Sequence, residues 1–157
     1  MSHCGGVRAL VSKRFNAVAI DLTQSYPELE ICCFDLLHSG ARCCLIVVYR
    51  APSSDHMPRL LECINALSNV KYHCIIAGDL NCSGIDWKIL KAPCDGTQDA
   101  LLNFAIVRGF SQVVPFPTRG DNLLDLIFSN EPLAMCNVNV MHPFSKCDHC
   151  QVVFCFY

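Results

Sequence analysis

Carboxylate, amide and imidazole side chains stand beside apolar runs at several places in the 157-residue sequence. Asp79 and Asn81 follow the apolar run 74–77 and are two residues apart, so an extended chain would point both side chains the same way. The carboxylate can bind a metal ion or take a proton from water, and the amide can hold a phosphate oxygen. Glycine, aspartate and asparagine are also the usual turn formers, so a simple turn at 78–81 is the alternative.

Two further clusters carry charge at the edges of apolar runs. Asp125 lies inside the run 123–128, where an unpaired charge in a buried strand costs on the order of several kcal/mol. Asp125 therefore needs a partner, unless it lies at a strand end that water reaches. Asp148 and His149 directly precede the run 151–156. An imidazole beside a carboxylate can serve as an oriented base or as a cation, although such pairs are also common in surface loops.

Tyr49 and Arg50 end another apolar run, where a hydroxyl and a guanidinium can both donate to a phosphate. The alternative is a core tyrosine followed by a solvated arginine. Together the four clusters predict metal-assisted cleavage of a phosphodiester, in which a carboxylate activates water and His149 stabilises the negative oxygens. Hard oxygen ligands favour Mg²⁺ or Mn²⁺.

A zinc site is the competing interpretation. Cys147 and Cys150 form a C-x-x-C pair, with Cys136 and His142 nearby. Strong zinc motifs have two well-spaced ligand pairs, and the second pair is missing here. The sequence therefore favours the acidic site over the zinc site.

The composition limits the class of protein. Hydrophobic residues make up 52% of the chain, charged residues 17%, and the formal net charge is −2. A disordered chain and a generally basic DNA clamp are both excluded, so contact with nucleic acid must be local or must rely on a metal ion. No apolar stretch is long enough to span a bilayer, and the first residues lack the pattern of a secretory signal. We therefore expect an intracellular protein whose 13 cysteines are reduced thiols.

Apolar periodicity predicts an α/β protein of the α+β type, in one domain that spans residues 1–157. Helices are predicted at 58–67, with cap residues at 53–55, and at 98–108, with Gly109 after the last turn. Because strands and helices alternate, the helices should cover sheet faces in a layered sandwich. Strands are predicted at 7–11, 18–22, 30–37, 42–49, 74–77, 123–128, 138–141 and 151–156, with a hairpin turn at 38–40.

With these motifs placed, the sequence resembles the endonuclease/exonuclease/phosphatase (DNase I-like) superfamily, which includes exonuclease III, the apurinic endonucleases and DNase I. The stretch that ends at Asn130, NFAIVRGFSQVVPFPTRGDNLLDLIFSN, is similar to the endonuclease of non-LTR retrotransposons. Five motifs occur in the order that is typical of the superfamily: Gly5-Gly6-Val7, Val48-Tyr49-Arg50-Ala51-Pro52, Gly78-Asp79-Leu80-Asn81, Asp125 and Asp148-His149.

The resemblance implies a four-layer α/β sandwich with two central, mostly antiparallel sheets. It also implies that the chain nicks DNA in a retrotransposon context, with Mg²⁺ or Mn²⁺ as cofactor, which suggests a nuclear location. The implied roles are as follows: Asp79 activates or orients the attacking water, Asn81 holds the scissile phosphate, Tyr49 lines the phosphate pocket, Asp125 holds His149, His149 stabilises the transition state, and Asp148 lies at the metal site.

Two departures from the family pattern change these expectations. Members begin with an asparagine-containing strand and a strand that ends in the main metal-binding glutamate, and this sequence starts after both, so we expect an N-terminally truncated domain with impaired activity. Glu28 and Glu30 are not expected to replace that glutamate. Cys147 stands where the family commonly has serine. The reverse transcriptase usual in such proteins is expected to be absent. An inactive fragment and a phosphoesterase for other substrates are the alternative functions.

Overall fold

The computed structural model describes residues 6–94 and 96–157. A short 3₁₀ turn at Pro132–Ala134 accompanies the regular elements. In chain order these elements are β1 (Asn16–Ile20), β2 (Glu30–His38), β3 (Ala41–Tyr49), α1 (Met57–Leu67), β4 (His73–Asp79), α2 (Thr97–Val107), β5 (Ser111–Gln112), β6 (Asp125–Ser129), β7 (Met135–Met141) and β8 (Gln151–Phe156).

The strands form two separate sheets. The larger has the order β1-β2-β3-β4-β6-β5, and β7 and β8 pair with each other. Every pairing is antiparallel except that of β3 with β4. Those two strands are joined through α1, the kind of crossover that a parallel pair requires. The predicted hairpin of the second and third strands is confirmed, with its turn at Ser39 and Gly40.

Each face of the larger sheet has its own core. The two helices cover one face, where Leu60 and Leu101 pack against Ile46 and Ile76. The sheet β7–β8 covers the other face, where it packs over Ile75 and neighbouring apolar side chains. Strands β3 and β4 are therefore covered on both sides, which explains why their sequences are nearly continuous apolar runs.

The mixed α/β architecture with mostly antiparallel sheets agrees with the sequence-based expectation, but the four-layer sandwich is not confirmed. Residues 6–94 and 96–157 form three layers: two helices, the six-stranded sheet and the two-stranded sheet. In β7 and β8, exposed side chains alternate with half-buried ones, so this sheet is covered on one face only. No helix in the described part of the chain is long and apolar enough to cross a membrane.

Three local expectations need correction. Residues 7–11 form no strand, because no neighbouring strand pairs with them and Leu10 is fully exposed. The strand expected at 18–22 lies at Asn16–Ile20, where it forms an exposed edge. No side chain caps α1: its N-cap is His56, whose backbone N–H donates to the Ser54 hydroxyl. The motif residue Gly5 lies outside the described residues.

Gly78 is required where β4 passes β3. Its φ is +151°, and a Cβ added there would lie 1.8 Å from the carbonyl oxygen of Val48. We predict that Gly78→Ala lowers the free energy of unfolding by about 3 kcal/mol or more, because a strand backbone must move. The matched control is Gly40→Ala, where φ is +85° and nothing lies within 4 Å of the added atom. That variant should cost only about 1 to 2 kcal/mol in urea titrations, and equal losses in both would contradict the assignment.

Candidate active site

The register of three neighbouring strands aligns three of the predicted site residues. Tyr49 at the end of β3 pairs with Asp79 at the end of β4, and Asp79 pairs with Asp125 at the start of β6. Side chains in register on neighbouring strands point to the same face of a sheet. By strand alternation this is the face of Ile75 and Ile127, which the sheet β7–β8 covers. The sequence therefore brings these three side chains to one edge of one face.

His149 reaches this edge from the other sheet, because it lies two residues before β8. Its Nδ1 lies 2.8 Å from Oδ2 of Asp125, and its Nε2 lies 4.0 Å from Oδ2 of Asp79. The side chains of Asp79, Asp125 and His149 are 14%, 25% and 27% exposed. The partner that the Asp125 charge requires is thus His149, and the Nε2 edge of the imidazole faces Asp79.

Asp79 is the carboxyl group of the site whose charged form is disfavoured. Burial, followed by the nearby charge of Asp125, raises the pKa of the Asp79 carboxyl above its ordinary value. One of its oxygens, Oδ1, accepts the backbone N–H of Asn81 at 3.0 Å. A carboxylate held against a second carboxylate attracts a proton or a metal cation, and a raised pKa brings it closer to the range suited to a general base.

Arg50 organises the loop that carries Asn81. The arginine is only 5% exposed, and its Nε donates to the carbonyl of Leu80 at 3.0 Å. Its Nη1 donates to the carbonyls of Ala51 and Ser54, and its Nη2 donates to the carbonyl of Asn81 at 3.4 Å. The guanidinium is therefore used within the protein, so it is neither the phosphate donor nor the solvated arginine that the sequence suggested. A buried arginine that binds carbonyls leaves no signal in the sequence pattern.

Asn81 is held in turn by the main chain beside Arg50. Its Nδ2 donates to the carbonyl of Arg50 at 2.8 Å, and its φ is +49°, a left-handed value that asparagine tolerates better than most residues. Tyr49 is half-buried and lines a cavity of about 340 Å³ together with Glu30 and His56. The roles of Asn81 and Tyr49 in holding a phosphate stay predictions.

Asp148 does not join the cluster of Asp79, Asp125 and His149, although it precedes His149 in sequence. Its carboxylate lies 2.6 Å from a guanidinium nitrogen of Arg119, and its side chain is 67% exposed. Its own backbone N–H, and then the charge of Arg119, lower the pKa of the Asp148 carboxyl. Its role as a metal ligand stays a prediction. Arg119 was missed because nothing in the sequence couples it to a residue so far along the chain.

The donor set at this edge fits a hard divalent cation. Asp79, Asp125 and His149 each offer one ligand atom within 4.8 Å of the others, and no other such group exists in the described part of the chain. Carboxylate oxygens are the ligands that Mg²⁺ and Mn²⁺ prefer. The cysteines of the competing zinc interpretation, Cys136, Cys147 and Cys150, belong to no such group in residues 6–94 and 96–157. Glu28, which was not expected to replace the family's glutamate, forms an ion pair with Arg59.

A family model described as endonuclease-reverse transcriptase matches residues 43–153, which include every residue of the group. The chain belongs to this family. The predicted resemblance to the endonuclease/exonuclease/phosphatase superfamily is confirmed, because the solved structures that match this family member are proteins of that kind. No curated protein sequence matches the chain.

Solved structures agree on the fold. The endonuclease domain of TRAS1, a telomere-specific non-LTR retrotransposon, matches with a TM-score of 0.70 at 16% identity, over 92% of this chain and 70% of that one. An AP endonuclease from Archaeoglobus fulgidus matches with 0.54 at 15% identity, over 79% and 64%. Truncated TDP2 from Caenorhabditis elegans matches with 0.53 at 15% identity, over 94% and 68%. At these identities the likeness shows a DNase I-like fold.

The raised pKa of Asp79 predicts how stability depends on pH in this family member. Because the folded state disfavours the charged form, the stability that this group contributes is present below its ordinary pKa of 3.8 and is lost as pH rises through the raised value. We predict that Asp79→Asn is more stable than the wild type at pH 7, whereas near pH 3 the two unfold alike. Thermal melts across this range measure the difference. The exposed Asp121→Asn is the control, and an Asp79→Asn variant less stable at pH 7 would refute the prediction.

Proposed function

We propose that this chain, acting as one domain over residues 1–157, hydrolyses phosphodiester bonds and nicks DNA, with Mg²⁺ or Mn²⁺ as its cofactor. The observation that carries the proposal is the meeting of Asp79, Asp125 and His149 at one sheet edge, with ligand atoms within 4.8 Å of one another. Membership in the endonuclease-reverse transcriptase family supports a nuclease, and the likeness to a retrotransposon endonuclease domain supports DNA as substrate.

The cation would be held by the carboxylates of Asp79 and Asp125, and Asp148 would join them only after leaving Arg119. When bound, it would offset the negative charge of the phosphate and polarise the bond to be cleaved. The need for such a cation follows from charge. Two carboxylates face the substrate in a chain whose formal net charge is −2, so the protein itself supplies little attraction for DNA.

His149 is the residue best placed to stabilise the reacting phosphate. Its Nδ1–H is donated to Asp125, which leaves Nε2 on the side of Asp79. In the imidazolium form, Nε2–H donates to a phosphate oxygen as negative charge develops there. The Asp125 carboxylate holds the ring in this orientation, in the way that a carboxylate orients a catalytic histidine in other hydrolases.

Asp79 receives the proton of the attacking water, because its carboxylate faces the same space as Nε2 of His149. Asn81 would hold a non-bridging oxygen of the phosphate with its side-chain amide, whose position is fixed by the Arg50 carbonyl. The hydroxyl of Tyr49, at the end of the neighbouring strand β3, would contact the phosphate next to the scissile one. An enzyme of this kind needs access to chromosomal DNA, so we infer a nuclear location.

A second candidate is an impaired or inactive copy that binds DNA without cutting it. The ion pair between Arg119 and Asp148 favours it, because this pair occupies a residue predicted to bind the metal. The two candidates differ in activity and share the fold, so an assay of strand cleavage separates them.

We predict that the chain converts supercoiled plasmid to the nicked form with Mg²⁺, and that EDTA stops the reaction. His149→Ala should slow nicking by roughly 10²- to 10³-fold, the usual range for loss of a donor to the negative charge of a transition state. The matched control is His142→Ala, since His142 is exposed and does not belong to the cluster of Asp79, Asp125 and His149. Equal rates for His149→Ala and the wild type would contradict the assignment. No nicking by folded wild-type protein that still retains DNA on a filter would favour the inactive candidate.

A further inference from the structure

Thr118 is buried completely, and its side chain is bound to the strand that carries Asp125. The residue is 0% exposed. Its Oγ1 accepts the backbone N–H of Leu124 at 3.2 Å and that of Asp125 at 3.0 Å. A buried N–H without a partner is unfavourable, so these two bonds fix where β6 begins.

The main chain of the same residue holds the other member of the pair. The carbonyl of Thr118 accepts the backbone N–H of Cys150 at 2.7 Å, directly after His149. The N–H of Thr118 donates to the carbonyl of Asn122 at 2.9 Å, which closes the loop between Thr118 and β6. Thr118 is therefore hydrogen-bonded to the backbone of Asp125 and to that of Cys150, the residue after His149. Asp125 and His149 themselves come from different sheets.

We propose that Thr118 is the positioning residue of the Asp125–His149 pair, and that it sets the 2.8 Å distance between His149 Nδ1 and Asp125 Oδ2. The catalytic consequence of this inference rests on the proposed function, whereas its geometric content does not. Thr118 acts through Asp125 and His149, because its side chain is fully buried and its hydroxyl is bound to the backbone N–H groups of Leu124 and Asp125.

The neighbouring Arg119 makes a weaker contribution to the same task. Its ion pair with Asp148 holds the residue before His149, so residues 118 and 119 bind both neighbours of the histidine. The two side chains of that ion pair are 47% and 67% exposed, however. Exposed pairs are screened by water and salt and contribute little, so the buried bonds of Thr118 carry most of the positioning.

The side chain of Thr118 can be removed from this arrangement selectively. Thr118→Val keeps the shape and the main-chain bond to Cys150, but it leaves the N–H groups of Leu124 and Asp125 without an acceptor. Thr118→Ser keeps the acceptor. The start of β6 should therefore shift in the valine variant only. Because a hydrogen bond weakens steeply as its geometry departs from linear, the bond to His149 should lengthen with it.

The test is the NMR signal of the His149 Nδ1 proton, which a hydrogen bond to a carboxylate moves to low field and protects from exchange. The wild type and Thr118→Ser should show it, and Thr118→Val should lose it or shift it towards the position of a free imidazole. Ser129→Ala is the matched control: Ser129 is equally buried, lies at the other end of β6 and binds His73. A wild-type signal in Thr118→Val, or its loss in Ser129→Ala to the same degree, overturns the inference.

Two further measurements keep the inference testable. If Thr118→Val does not fold, hydrogen exchange in the wild type replaces it: the amides of Leu124 and Asp125 should exchange as slowly as those in the centre of β4, and fast exchange overturns the inference. In plasmid nicking, Thr118→Val should lower kcat by roughly 10- to 100-fold with KM nearly unchanged, and serine should restore it. Loss or shift of the His149 signal in Thr118→Val, together with a wild type that does not nick DNA, would support the positioning role and refute the proposed function.

Discussion

The hydrogen bond between Asp125 and His149 is the interaction on which the rest of the site depends. A carboxylate at the start of a mostly buried strand needs a partner, and an imidazole 24 residues later in the chain provides it. Because Asp125 belongs to the larger sheet and His149 precedes a strand of the smaller one, this bond forms only when the two sheets pack over the core around Ile75 and Ile127. The site is therefore complete only when both sheets are packed.

Much of the fold could be predicted because it follows from local patterns. The apolar runs at 42–49 and 74–77 predicted the strands β3 and β4, and helical spacing located each end of α1 and α2 to within one residue. Residues 7–11 were predicted as a strand from their local apolar pattern, and they form none because a strand also needs a pairing partner, which a local pattern does not supply. The layer count depends in the same way on packing between distant segments.

In the candidate site, too, local patterns could be predicted and contacts between distant residues could not. Asp79 and Asp125 could be predicted from their places at strand ends, and register then aligns them. The burial of Arg50 against carbonyls, the pairing of Asp148 with Arg119 and the bonds of Thr118 are all contacts across the chain, and no periodicity encodes them. Electrostatics adds a further cost: burial, followed by the nearby charge of Asp125, raises the pKa of Asp79, which opposes stability at neutral pH and prepares the site for a cation.

The central claim is that this edge binds a divalent cation, and paramagnetic broadening of NMR signals by Mn²⁺ tests it most directly. Small amounts of Mn²⁺ should first broaden the amide signals of Asp79, Asp125 and His149, and an excess of Mg²⁺ should restore them. The same titration of Asp79→Asn should leave these signals sharp. Broadening centred on other carboxylates, or on Cys147 and Cys150, would contradict the account, as would signals at this edge that Mn²⁺ does not affect.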